Sequence, residues 1–235
     1  MDICSLYGAI FKIWRFRRFK LFIETIRPST QTSVLDVGGY PGTWTTFPPY
    51  AKSITCLNIH PINWNTAQSP QHNISVTVGD ARHMHEVEDH KYDIIFSNSV
   101  IEHVGAWQDQ QAFAREVRRV GGKLWIQTPA RECPLEPHYL APFIHWLPKN
   151  WQRRLVRWCT VYGWLQRPSS EDIAEMVTSI RLLKKSEMMA LFPDCELLVE
   201  TLWGGVSKII HCRPQGLAFR PNQSVDLFNS ENHAN

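Results

Sequence analysis

Between Val34 and Gly42 the chain reads Val-Leu-Asp-Val-Gly-Gly-Tyr-Pro-Gly, an apolar run that ends in Asp36 and turns at once into a glycine-rich loop. A buried parallel strand followed by such a loop delivers backbone amides to a nucleotide-like ligand. The spacing is not the G-x-G-x-x-G of a dinucleotide loop, which argues against nicotinamide chemistry. Asn58, Asp80, Ser97-Asn98 and Thr128 close further apolar runs. Ligands of an open parallel sheet bind outside the carboxyl ends of its strands, so these polar residues belong to one edge. His103 follows the fourth of these runs and His138 lies shortly after the fifth. Histidine is suited to taking a proton near neutral pH, so both are candidate general bases. Glu102 and Glu136 stand beside them, and Pro134 and Pro137 bracket Leu135-Glu136, which stiffens that turn. His83, His85 and His90 read as solvated or packing residues, and no third ligand completes a metal set with His83 and His85, so no metal is expected.

Positioning these groups requires alternating strands and helices. Candidate strands are Val34–Val37, Ile54–Ile59, Ile74–Val78, Tyr92–Ser97, Lys123–Gln127, Glu196–Trp203 and Ser207–Cys212. The clearest helix is Trp107–Val120, with Phe113, Val117 and Val120 on one face and Gly121-Gly122 at its end. Others are expected over Ser170–Leu183, with Ser170 as N-cap, and over Ser186–Phe192. This alternation predicts an α/β fold: a Rossmann-like, doubly wound, seven-stranded and mostly parallel sheet with an antiparallel C-terminal hairpin. Residues 130–168 interrupt the rhythm with five prolines, four tryptophans and Arg153, Arg154 and Arg157. They are read as an aromatic-rich insertion after strand 5, because connecting loops are seldom so long. The expected organisation is an amphipathic basic helix over 1–29, a domain over 30–213 and a polar tail over 214–235. The helix rests on Ile3, Leu6, Tyr7, Ile10, Ile13 and Trp14, interleaved with Lys12, Arg15 and Arg18. It either touches a membrane surface or packs its apolar face on the domain.

A chain of 235 residues with 43% apolar residues has the length for a full core. A net charge of +3 is too small to indicate nucleic acid, and no nucleic-acid partner is expected. The six cysteines are widely spaced without C-x-x-C pairs, which suggests reduced thiols in a cytoplasmic protein. No apolar run approaches the ~18 residues of a membrane span.

The loop places Asp36, Gly38 and Gly42 at D-x-G-x-x-x-G positions, and here the chain resembles the class I S-adenosylmethionine-dependent methyltransferases. Three more segments follow in the family's order, carrying the resemblance over residues 30–212. Val78-Gly79-Asp80-Ala81 is similar to the third-strand motif. Tyr92 through Val104, with Ile-Glu-His-Val at its end, is similar to the fourth strand and its exit in the small-molecule, methyltransferase type 11-like branch. Gly121 through Pro129, ending Gln-Thr-Pro, is similar to the fifth strand. The resemblance implies S-adenosyl-L-methionine as cofactor, held by Asp36, Gly38, Gly39, Tyr40, Gly42, Asn58, Asp80, Ala81, Ser97 and Asn98. It implies methyl transfer, read here as going to an oxygen, less readily a nitrogen, of a small metabolite, sugar or natural product, and a hydroxyl acceptor would need His103 or His138 as its catalytic base. Tyr40, Glu102, Thr128, Glu136, Tyr139, His145 and Trp146 are the candidate acceptor contacts.

Two positions depart from the family's pattern. Tyr40 stands where a small residue is usual, and Asn58 where an acid usually takes the ribose hydroxyls. They leave open a catalytically silent binding or regulatory protein of the same fold. The aromatic insertion and the basic N-terminal helix leave open a lipid-linked acceptor at a membrane surface. Oligomeric state is not legible.

Overall fold

The computed structural model describes residues 16–65, 71–201 and 207–214. Five strands, β1 (Ser33–Val37), β2 (Ser53–Asn58), β3 (Ile74–Val78), β4 (Tyr92–Asn98) and β5 (Gly121–Pro129), pair in parallel. A two-stranded ribbon, β6 (Leu135–Glu136) with β7 (Ala141–Pro142), stands apart. Two later strands, β8 (Cys195–Thr201) and β9 (Ser207–Pro214), join the main sheet antiparallel, giving seven strands in the order β3-β2-β1-β4-β5-β9-β8. The segment between β8 and β9 lies outside the described residues. The strand order reverses between β1 and β4, which opens a crevice at their carboxyl ends.

Each face of the sheet carries a core. On one, α3 (Trp107–Val120) packs Phe113, Val117 and Val120 against Leu35, Val37 and Ile95, joined by Met188 and Leu191 of α7 (Lys185–Leu191). On the other, the helix over residues 16–26 (α1) lays Phe19, Phe22 and Ile26 on Val34, Ile54, Phe96 and Trp125. Phe19 stacks on Phe47 at 3.8 Å between ring centroids, and Phe22 meets Phe96 edge-on at 4.9 Å. Arg18 ties the same helix to Glu200 at 3.4 Å. The described part of the basic helix therefore packs on the domain. Residues 1–15, which carry most of the periodicity noted above, lie outside the described residues.

A third core forms after β5. Tyr139, Ala141, Ile144, Val156 of α4 (Lys149–Cys159), Ile173 and Val177 of α6 (Ser170–Ser179), Ile180 and Leu182 close on one another. Between α4 and α6 runs α5 (Val161–Gln166). The tryptophans of this stretch stay outside that core, with Trp151, Trp158 and Trp164 at 55, 70 and 63% exposure.

Three local expectations are corrected. The N-cap of α6 is Ser169, because Asp172 stands three residues on and completes a capping box: Ser169 Oγ accepts from Asp172 N, and Asp172 Oδ2 accepts from Ser169 N. The same helix ends at Ser179, short of Leu183, because Arg181 N donates instead to Glu102 O at 2.8 Å and Leu183 bridges Ala130. Cys195 is disulfide-bonded, so the expectation of reduced thiols does not hold for it, whereas Cys56 and Cys159 carry free thiols. Among the described residues no helix is long and apolar enough to cross a membrane.

Phe22→Ala should cost about 3–5 kcal/mol of stability, because the ring is wholly buried at the centre of an aromatic cluster. Trp158→Ala on the exposed face should stay within about 0.5 kcal/mol. Denaturant midpoints of the two variants check the contrast.

Candidate active site

The loop after β1 is shaped by what lies beneath it. Asp36 is buried, and Trp44 Nε1, from the short helix α2 (Pro41–Thr45), donates to its Oδ2 at 2.7 Å. A Cβ on Gly39 would fall 1.8 Å from that same oxygen, so only glycine lets the loop cross the carboxyl group. Gly38 adopts φ +73°, and its amide donates to Leu57 O at 2.7 Å, which anchors the loop to β2. Desolvation by burial raises the Asp36 pKa to about 7 against the single opposing hydrogen bond from Trp44. Tyr40 points outward, 59% exposed.

The neighbouring strands end in step with this loop. Asn58 lies opposite Val78 in the register, and its carbonyl accepts from Gly79 N at 2.9 Å. Asp80 follows and is gripped by Arg82, whose Nη2 lies 2.6 Å from Oδ2. The hydrogen bonds from Arg82 hold the Asp80 carboxyl below its ordinary pKa. Arg82 also donates to Val104 O and Asp109, which ties the end of β3 to the exit of β4. Ala81 is half-buried beside it. At the end of β4, Ser97 Oγ and Asn98 Oδ1 are buried without a hydrogen-bond partner.

Beyond β4 the chain turns through Ser99, at φ +57°, into a single 3-10 turn, Ile101–His103. Gln110, wholly buried on α3, donates to Ile101 O and Arg181 O, both at 2.9 Å, and pins this turn. Glu102 is wholly buried; its Oε2 accepts from Thr128 Oγ1 at 2.9 Å, while Oε1 has no partner. Burial raises the Glu102 pKa to about 7, partly offset by His138 and the Thr128 hydroxyl.

His103 and His138 meet across the cleft, Nε2 to Nε2 at 3.1 Å, with their rings nearly perpendicular. The 35 residues that separate them in sequence are closed by the β6–β7 ribbon. Buried Glu136 on β6 accepts from His138 Nδ1 at 2.6 Å and from Tyr139 N at 2.6 Å, so both carboxylate oxygens are engaged. The two imidazoles are driven apart in basicity. Desolvation and then the neighbouring His138 lower His103 to about 4. For His138, burial also opposes the charge, but the hydrogen bond to Glu136 and the charges of Glu136 and Glu102 outweigh it, and its pKa is raised.

The structure thus brings together Asp36, Gly38, Gly39 and the ends of β2 to β4 on one edge, with Glu102, His103, Thr128, Glu136 and His138 beside them. Tyr139 sits instead in the third core, 1% exposed. His145 Nε2 and Trp146 Nε1 both lie within hydrogen-bond reach of Arg131 O, at 3.0 and 2.9 Å. Trp44, Arg82, Gln110 and Arg181 hold the site and were not singled out in the sequence. The one legible signal was Gln110, a polar residue three before Phe113 on the apolar face of α3.

With this geometry in place, residues 35–126 match the family of the methyltransferase domain, from within β1 to within β5. The chain carries a methyltransferase domain. The domain is an enzyme's, and its cofactor is S-adenosyl-L-methionine. The fold is shared with a possible exported protein from Bordetella parapertussis, at 13% identity and TM-score 0.56, covering 85% of this chain and 67% of that one. It is shared equally with a protein from Rhodobacter sphaeroides described as a Zn-dependent alcohol dehydrogenase, at 11% identity and TM-score 0.56, covering 85 and 90%. A SAM-dependent methyltransferase from Aquifex aeolicus aligns over 83% of this chain and 87% of its own, at 13% identity and TM-score 0.48. No curated protein sequence matches the chain.

The residues present fit the cofactor of the methyltransferase domain. Asp36 is a buried acid with one donor and no cation, which a positively charged ligand above the loop would compensate. The partnerless Ser97 and Asn98 oxygens at the next strand end would gain donors or acceptors from the same ligand.

Asp36 keeps its proton up to about pH 7 when folded, against an ordinary value of 3.8. Between these values folding binds a proton, so the wild type loses stability as pH rises. Asparagine does not titrate. Asp36→Asn should therefore gain on the wild type by about 2–4 kcal/mol between pH 4 and 8, with the difference flat below pH 4. Thermal melts of both proteins across that range, without ligand, check the sign.

Proposed function

We propose that the chain transfers the methyl group of S-adenosylmethionine to an oxygen, less readily a nitrogen, of a small metabolite, sugar or natural product. The observation that carries this reading is the His103–His138 pair, backed by Glu136, beside the end of β4. When bound, the cofactor supplies an electrophilic methyl group on a sulfonium. The chain's own task is to align the acceptor and receive its proton. Gly38, Gly39 and Gly42 admit the methionine half over the loop, Asp36 offsets its positive charge from beneath, and Asn58, Asp80 and Ala81 meet the ribose and adenine. Tyr40, reaching out over the cleft, bounds the acceptor's side.

A hydroxyl proton passes to the histidine pair, and Glu136 holds the resulting charge at His138. Glu102 and Thr128 fix the backbone that carries His103. His138→Ala should lower kcat by roughly 10²–10⁴ while leaving S-adenosylhomocysteine affinity nearly unchanged. Glu136→Gln should lower it in the same direction by less. Transfer of isotope-labelled methyl groups into a metabolite extract measures both. Unchanged turnover in His138→Ala would point to alignment alone, with an acceptor already deprotonated.

A second reading concerns where the acceptor resides. Trp151, Trp158, Trp164 and Leu165 are exposed on α4 and α5 among Arg153, Arg154, Arg157 and Arg167, with Arg157 lying 5.6 Å over the Trp158 ring. Tryptophan with arginine at an exposed face suits the interface of an anionic membrane, where the ring enters the headgroup region and the cation meets phosphate. On this reading the acceptor is lipid-linked. Anionic vesicles should sediment the protein at low salt and release it at high salt, and a Trp158→Ala/Trp164→Ala variant should bind more weakly. Absence of low-salt binding would remove the membrane and leave a water-soluble acceptor.

A further inference from the structure

Glu102, His103 and His138 each offer one ligand atom, and these atoms lie within 4.8 Å of one another. We infer that they form a binding site for a divalent transition-metal ion, with Glu136 orienting His138 from behind. Ion binding is separate from the proposed methyl transfer and does not rest on it.

The geometry of the two imidazoles is the first support. Two nitrogens each ~2.0–2.1 Å from one ion, at tetrahedral or right angles, stand roughly 2.8–3.4 Å apart. The two Nε2 atoms are 3.1 Å apart. The contact between Glu136 Oε1 and His138 Nδ1 places the proton on Nδ1 and leaves the Nε2 lone pair facing the cleft. A carboxylate behind a ligating histidine is the usual outer-shell arrangement of a metal centre.

Glu102 is the second support. It is wholly buried, and its Oε1 has no hydrogen-bond partner. A buried acceptor left unmatched costs free energy, whereas a cation within reach would satisfy it. Thr128 occupies Oε2 alone, which leaves Oε1 as the atom for a ligand.

The donor set selects the class of ion. Two imidazole nitrogens and one carboxylate oxygen suit Zn²⁺, Fe²⁺, Co²⁺ or Mn²⁺, while Mg²⁺ and Ca²⁺ take oxygen ligands. Three protein ligands leave coordination positions for water or an acceptor oxygen, and an ion so placed lowers the pKa of a bound hydroxyl. The ion and the proton are alternatives for the same lone pairs, so with the ion bound the hydroxyl is activated by coordination. The sequence showed no such set because Glu102 and His103 are adjacent and the third ligand is 35 residues away.

The test is titration of the chelator-treated full chain with Zn²⁺, and separately with Co²⁺, in the absence of methyl donor and acceptor. One equivalent should bind saturably. Glu136→Gln should weaken binding by roughly 10–100-fold, and His138→Ala and Glu102→Gln by at least as much. His83→Ala/His85→Ala should leave it unchanged, which separates this site from the other close histidine pair. A far-ultraviolet circular dichroism spectrum of Glu102→Gln matching wild type confirms that this variant is folded. No saturable binding, or binding that survives all three site substitutions, would overturn the inference while leaving methyl transfer intact. A bound ion with no methyl transfer to any acceptor would leave the metal site standing and remove the proposed function.

Discussion

Three carboxyl groups are kept from water along one edge of the sheet, and the architecture of the site follows from that constraint. Asp36, Glu102 and Glu136 are each 2% exposed or less. A buried acid is tolerated only when it is hydrogen-bonded, paired with a cation or neutralised. Each of the three meets this demand differently. Asp36 has one indole donor and holds its proton to about pH 7. Glu102 has one hydroxyl donor and also holds its proton to about 7. Glu136 has two donors, one of them an imidazole whose basicity it raises.

These acids sit where the fold can hold them. Asp36 lies one residue before the end of β1, beneath a loop that only glycine can form at Gly39, and Glu102 lies in the turn after β4, clamped by Gln110 and Arg181. Glu136 belongs to the ribbon that roots the third core. Tertiary hydrogen bonds thus stiffen the turn beyond β4 and bring a residue from after β5 to face it. Among the described residues, no arginine or lysine pairs with any of these three acids. A cationic cofactor over Asp36 and a proton or metal ion between His103 and His138 are the two ways in which this chain can relieve that lack.

Much of this was legible in the sequence, because strand ends and a glycine loop are local signals. The limits of β3 and α3 agree with the periodicity to the residue, and Gly38 and Gly39 stand where a close approach requires them. What the sequence did not show depends on distance along the chain. The extended course of residues 180–183 comes from hydrogen bonding to Glu102 and pairing with Ala130, and helical periodicity cannot register such partners. The His103–His138 contact was present only as two separate candidates. The exposure of the tryptophans was equally hidden, since aromatic content alone does not say which rings a core accepts.

The central claim is that the buried acid under the loop answers the charge of the cofactor above it. Calorimetric titration of S-adenosylhomocysteine, whose amino group carries the positive charge of the methionine half, tests this directly near pH 7 in buffers of different ionisation enthalpy. The account predicts release of a fraction of a proton on binding, as the ligand's cation lowers the Asp36 pKa, and no such release in Asp36→Asn. Binding with the same proton exchange in both proteins, or no binding at all, would contradict it.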